Sequence, residues 1–207
     1  MSIGRRSRSL ASRGAPNPAK ERATEKRSGG SLSLAISSDI HVEFHRDHGA
    51  AFIAGMPDSD VLVCAGDLGN AKTFAEALEA LCRRYPHVIY VMGNHEAYGS
   101  SISDVRRTLD AMDARLPGLH YLENNTCEID GQRFVGSTLW VPRLPGIEVL
   151  EPMMNDFRLI NDAPDAIYDE NTRAVDWLAK VVRSTDVVVT HHLPSPRSVV
   201  SCPGGPS

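Results

Sequence analysis

The sequence predicts an α/β protein in which parallel strands alternate with helices before the chain turns into a hairpin, giving a mixed or second sheet. Three observations predict it. Short apolar runs rich in β-branched residues recur at Leu34–Ile36, Val61–Cys64, Val88–Met92 and Val187–Val189. Each is too short for a helix and reads as a buried strand. Stretches with apolar residues at helical spacing fill the intervals. Asp130-Gly131, a hairpin dipeptide, separates two strand-like runs within residues 119–137,.

Taken in order, residues 1–31 come first, and they are rich in Arg, Ser, Gly and Pro. Such a segment buries too little apolar surface to offset its ordering entropy, so a disordered basic extension is expected. It has no apolar h-region and is not a secretory signal. An over-extended gene start is favoured over a basic interaction tail, because the folded pattern begins near Leu32. A first helix is expected over Ala71–Arg84, with Phe74, Leu78, Leu81 and Cys82 on one face, Asn70 as N-cap and Pro86 beyond its end,. A second spans Ile102–Arg115, with Ile102, Val105, Leu109, Met112 and Leu116 at helical spacing,. A third spans Glu170–Arg183 and is expected to bury Val175, Leu178 and Val182.

Composition narrows the class. The chain has 207 residues, 42% hydrophobic and 23% charged, which suits one globular domain running from residue 32 to residue 207,. No apolar run approaches the roughly 18 residues of a membrane span. The net charge is −4, although residues 1–30 hold eight Lys/Arg against two Glu. The body is therefore strongly acidic, which argues against a surface that grips nucleic acid by its backbone. Cys64, Cys82, Cys127 and Cys202 fall at neither zinc-ribbon nor redox spacing,. They read as buried thiols in a reducing, cytoplasmic compartment.

The polar residues carry the chemistry. The first strand ends in Ser37-Ser38-Asp39-Ile40-His41, the second in Gly66-Asp67-Leu68-Gly69-Asn70, the third in Gly93-Asn94-His95-Glu96 and the last in Thr190-His191-His192. Four strands thus deliver carboxylate, imidazole or amide groups past their carboxyl ends, the edge where open α/β sheets bind ligands. Asp, His and Asn without thiolate suit Mn, Fe or Zn better than Mg. Asp39 and His41 are two apart, so an extended segment points both to one side. Asp67 is placed to bridge two ions, offsetting the repulsion of dications held about 3.5–4 Å apart.

Those blocks resemble the calcineurin-like metallophosphoesterase family: Asp-x-His, Gly-Asp-x-x-Asn, Gly-Asn-His-Glu, then a His after an apolar strand. They stand in order from Asp39 to His191. Ser137-Thr138-Leu139-Trp140 and Asn155-Asp156-Phe157-Arg158 also resemble a bacterial subgroup of uncertain substrate. The resemblance implies a four-layer α/β/β/α sandwich and hydrolysis of a phosphate mono- or diester carried by a small molecule or nucleotide. It implies that Asp39 and His41 bind one metal, Asp67 bridges, and Asn94 and His191 bind the second. His95 would protonate the leaving oxygen or hold the phosphoryl group rather than bind metal.

Two departures stand out. Where many members carry an Asp that supports the catalytic His, this chain has Asn70, which orients His95 by a hydrogen bond without charge; Ala71 follows in place of the Arg of the phosphatase branch. The closing Gly-His-x-His is absent from the 207 residues. The resemblance then implies a chain lacking its C-terminal strands, with weak metal binding and little activity by itself. The alternative is a non-catalytic scaffold that keeps the fold for protein interaction; a nucleic-acid-directed enzyme using the basic arm is a third reading. Among the other residues, His45, His48, His87 and His120 read as surface histidines, His192 as a pocket-lining or idle neighbour, Glu43 and Glu96 as supporting or helix-capping residues. Trp140 and Trp177 read as packing residues, and Arg143 and Arg158 as surface arginines with some reach for phosphate.

Overall fold

A computed structural model of the chain describes residues 31–198. The expected disorder of the N-terminal extension, Cys202 and the segment after Ser198 lie outside those residues.

The first sheet is parallel throughout. β1 (Leu34–Ser37), β2 (Val61–Ala65), β3 (His87–Val91) and β4 (Leu119–Tyr121) lie side by side in chain order. The short helix α1 (Ala50–Gly55) precedes β2, while α2 (Phe74–Arg84) and α3 (Ile102–Arg115) form the crossovers to β3 and β4. α3 starts on Ser101, whose hydroxyl accepts from Asp104 N,. Its buried stripe is Ile102, Val105, Leu109 and Met112, as the spacing predicts. α2 starts three residues later than predicted. Residues 71–73 form a turn in which Asn70 Oδ1 accepts from Lys72 N (3.0 Å) and Thr73 Oγ1 meets the same oxygen at 3.3 Å. Asn70 closes that turn rather than capping a helix.

The second sheet is mixed. β5 (Asn125–Ile129) and β6 (Gln132–Ser137) form the hairpin across Asp130–Gly131, and β7 (Val187–Thr190) pairs parallel to β6. The two sheets stack through Val61, Val63, Ile89, Val91, Leu122, Ile129, Phe134 and Val189,. The other face of the first sheet packs on α2 and α3 through Leu62, Cys64, Tyr90, Leu78, Leu81 and Leu109. β1 is less well covered. Leu34 and Ile36 share a face with Leu32, which packs on the inter-sheet core, yet they are 39% and 78% exposed. Among the described residues β7 is an edge of the second sheet, and it stands against β2.

Past β6 come α4 (Asn155–Leu159) and α5 (Asp165–Val181). α5 begins five residues earlier than predicted and buries a different face. Ile167, Tyr168, Asn171 and Ala174 are buried, while Val175 and Val182 are 49% and 44% exposed and Leu178 is half-buried. The cause is where the helix is anchored. Its first half enters the helical core, Asn171 Nδ2 donates to Leu139 O (2.9 Å) and Trp140 O (3.1 Å), and Glu170 takes Arg106 (2.9 Å). Its end reaches the outer side of β6, where Arg133 Nη1 donates to Val181 O (3.2 Å). The architecture is an α/β sandwich of two stacked sheets with helices outside. No helix among the described residues is long and apolar enough to cross a membrane.

Candidate metal centre

All four predicted strand exits meet at one edge of the sandwich. The loop after β1 lies along the loop after β2: Asp39 N donates to Gly66 O (3.1 Å), His41 N to Asp67 O (3.0 Å) and Val42 N to Leu68 O (2.9 Å). Asp39, His41 and Asp67 all take left-handed backbone conformations, at φ 53°, 49° and 52°, so Asp39 and His41 converge through a turn beyond β1 and not along the extended segment expected. For residues other than glycine a left-handed conformation costs about 1–2 kcal/mol each, and it persists only where the surroundings enforce it. Close approach needs glycines. A Cβ on Gly93 would sit 2.1 Å from Asp67 Oδ1, and one on Gly66 2.8 Å from His191 Nδ1.

At Asp67 the enforcing group is Glu96. It is fully buried, and its carboxylate accepts from Leu68 N (2.7 Å), Gly93 N (2.8 Å), Asp67 N (3.2 Å), Gly69 N (3.4 Å) and Tyr90 Oη (2.7 Å). One side chain thereby ties the β2 exit to the β3 exit. Burial pushes its pKa up, the charge of Asp67 adds to that, and the donors oppose it,.

Within this frame the side chains converge on Asp67. Its Oδ1 accepts from His95 N (2.9 Å) and lies 3.5 Å from His191 Nε2; its Oδ2 lies 3.8 Å from His41 Nε2 and 4.0 Å from His95 Nε2. Asp39 Oδ1, on a more exposed carboxylate, is 3.9 Å from His41 Nε2. Ligand atoms of His41, Asp67 and His95 all fall within 4.8 Å of one another, a spacing able to hold a metal ion. On the other side, His191 Nε2 lies 2.9 Å from Asn94 Oδ1.

That last contact tests whether a cation belongs here. Asn94 Nδ2 is fixed by Asp156 Oδ1 (2.8 Å) and Tyr98 Oη (2.9 Å), so the amide oxygen is what faces His191. His191 Nδ1 faces Ala65 O (2.8 Å), an acceptor only, so Nδ1 carries the proton,. A neutral His191 then points a lone pair at the Asn94 oxygen and at Asp67. A metal ion in that gap would take the imidazole lone pair together with the amide and carboxylate oxygens. The donor set of imidazole, amide oxygen and carboxylate fits Mn, Fe or Zn.

The structure thus gathers Asp39, His41, Asp67, Asn94, His95 and His191, the residues singled out from sequence. Asn70 is not with them: its side chain serves its own turn, and the carboxylate at His95 Nδ1 is Glu43 Oε1 (3.2 Å). Asp156, marked in sequence only as part of the Asn155–Arg158 block, and Tyr98, not marked at all, join the site here. Asp156 is buried and holds both the Asn94 amide and the Tyr98 hydroxyl (2.6 Å), and the Tyr98 ring stacks on His95 at 4.3 Å. Burial and the Asp156 hydrogen bond raise the Tyr98 pKa. His192 packs on Trp140 (ring centroids 5.5 Å), and burial, then His191, lowers its pKa. Arg143 turns to the Tyr168 ring and Asp165, away from the six. Arg158 is exposed. His87 and His120 are half-buried and paired at 3.1 Å rather than lying free on the surface.

Comparison with known proteins points the same way. The family model of the calcineurin-like phosphoesterases matches residues 32–207. An uncharacterised protein of Acanthamoeba polyphaga mimivirus is 28% identical, over 64% of this chain and 55% of its own length, so the chain spans about half of that curated relative. Among solved structures, the phosphopantetheinyl hydrolase of Mycobacterium tuberculosis superposes with a TM-score of 0.58 at 19% identity, covering 76% of this chain and 67% of that one.

Proposed function

The chain belongs to the calcineurin-like phosphoesterase family, and from that membership we propose that it serves the hydrolysis of a phosphate mono- or diester on a small molecule or nucleotide. The observation that carries the reading is the convergence of Asp39, His41, Asp67, Asn94 and His191 on two sides of one buried carboxylate, with His95 beside it. Asp39 and His41 would hold one ion, Asn94 and His191 a second, with Asp67 between. Two such ions supply Lewis acidity that activates water and offsets charge on the phosphoryl oxygens. The protein's own part is positioning and proton transfer. Asp156 keeps the amide oxygen of Asn94 turned inward, Ala65 O keeps the Nε2 lone pair of His191 inward, and Glu96 holds Asp67 in place. His95 Nε2 faces the same space, and as an imidazolium, with one proton held at Nδ1 and a second taken from water on Nε2, the ring would give the Nε2 proton to the leaving oxygen,.

The test pairs elemental analysis with hydrolysis. The folded chain is loaded with Mn, Fe or Zn at saturating concentration and given aryl phosphate mono- and diesters, plus a phosphopantetheine ester chosen from the fold neighbour. The 207 residues hold no closing Gly-His-x-His, so binding is expected to be weak: two ions per chain at saturating metal, lost in Asp67→Asn, with a low turnover that falls about a further 100-fold in His95→Asn. A folded chain that takes up no ion would overturn the reading and favour the non-catalytic scaffold.

A further inference from the structure

We propose that Glu43 is the positioning residue that sets the ring tautomer of both central imidazoles, His41 and His95. The proposal deepens the phosphoesterase reading and rests on it for its consequence in catalysis, but its geometry stands alone. Each ring offers Nε2 to Asp67 Oδ2, at 3.8 Å from His41 and 4.0 Å from His95. Each ring offers Nδ1 to one oxygen, Glu43 Oε1, at 3.5 Å from His41 and 3.2 Å from His95. The rings meet edge to face with centroids 4.3 Å apart, so neither nitrogen can exchange places with the other without breaking that packing. The Glu43 side chain is only 10% exposed, and its Oε2 and His41 Nδ1 are both buried without a hydrogen-bond partner.

A carboxylate only accepts. Glu43 Oε1 lies nearer each Nδ1 (3.5 and 3.2 Å) than Asp67 Oδ2 lies to each Nε2 (3.8 and 4.0 Å), so of the two carboxylates Glu43 takes the ring proton, on Nδ1, and Nε2 of both rings is left clear. For His41 that presents a lone pair on the side of Asp67, where an ion would sit; for His95 it leaves Nε2 for the proton that moves in the reaction. In water the neutral imidazole favours the opposite tautomer, so the cluster must impose this one. Glu43 can do so because it lies within the 3-10 turn Val42–Phe44, which His41 caps and which packs against His95 on the loop beyond β3. The Asn70 amide, which points into its own turn, does not compete for His95.

The experiment reads long-range proton–nitrogen correlations of the imidazoles in the full, metal-free chain, above the histidine titration range. Signals are assigned by their disappearance in His41→Asn and His95→Asn. The expected result is the Nδ1-protonated pattern at both rings, conversion of both to the Nε2-protonated pattern in Glu43→Leu, and retention at His95 in Glu43→Gln, which keeps an acceptor. His191 is the internal control: Ala65 O holds its Nδ1 proton, so it must not respond. Metal affinity in Glu43→Leu should fall about 10–100-fold, as for other residues that orient ligands from behind. An Nε2-protonated pattern at His41 or His95 in the unaltered chain overturns the proposal, whether or not any variant folds. So does an unchanged pattern in a folded Glu43→Leu. Failure of the phosphoesterase reading would show instead as absent metal uptake and hydrolysis, with the tautomers intact.

Discussion

Replacing Glu96 by Gln changes one atom's chemistry and almost no volume, yet it should destabilise the fold severely. Glu96 Oε1 accepts from Leu68 N, Gly69 N and Tyr90 Oη, and Oε2 accepts from Gly93 N and Asp67 N. A glutamine amide has one accepting oxygen. Whichever way it turns, its NH2 faces at least two backbone N–H groups, donor against donor. Leaving a buried donor unsatisfied costs about 1–3 kcal/mol, so two such groups cost about 2–6 kcal/mol. Relief of a buried charge, seen in the raised Glu96 pKa, offsets part of this, which keeps the expected loss nearer the lower half of that range. For a domain of this size it corresponds to a fall in Tm of about 5–15 °C. The assay is urea unfolding followed by tryptophan fluorescence, with the midpoint moving and the slope unchanged. A Glu96→Gln chain within about 0.5 kcal/mol of the parent would refute the claim that this carboxylate clamps the two strand exits.

Three further outcomes follow from the same geometry. Gly93→Ala puts a Cβ 2.1 Å from Asp67 Oδ1 and 2.4 Å from Asp67 N, so stability should fall by about 1–3 kcal/mol and metal affinity with it. Calorimetric metal titration showing a folded variant with undiminished affinity would count against the close approach. Asp156→Ala frees the Asn94 amide to turn its Nδ2 toward His191, so metal affinity should drop about 10–100-fold; unchanged affinity in a folded variant would mean the amide is held some other way. Burial lowers the pKa of His87, outweighing Asp130 and Asp60. Its folded value lies below its unfolded one, so its contribution to stability is present above the ordinary histidine pKa of about 6.5 and is lost as pH falls through the lower folded value. Urea midpoints taken across that window should fall less steeply in His87→Asn than in the parent, and identical slopes would refute the assignment.

Much of the site was legible in sequence because Asp39, Asp67, Asn94 and His191 lie within a few residues of the end of a short apolar strand, so that strand position sends them to one edge. What was not legible depends on contacts between distant segments. Glu43 meets His95 across 52 positions and Asp156 meets Asn94 across 62; sequence marked Glu43 only as a supporting residue and Asp156 only within a subgroup block, and no local pattern gives either its partner. Asn70 misled for the converse reason. Its neighbours Lys72 and Thr73 supply a complete local turn, and local hydrogen bonds won over the expected link to His95,. α5 shows the limit of periodicity: two apolar stripes run along it, and anchoring by Asn171 and Glu170 decided which one is buried.

The most direct measurement is anomalous diffraction from crystals of the chain soaked in a manganese salt. The account predicts two peaks about 3.5–4 Å apart, one beside His41 and Asp39, the other beside Asn94 and His191, with the Asp67 carboxylate between them. Manganese bound elsewhere, with no peak in coordination reach of Asp67, would contradict it.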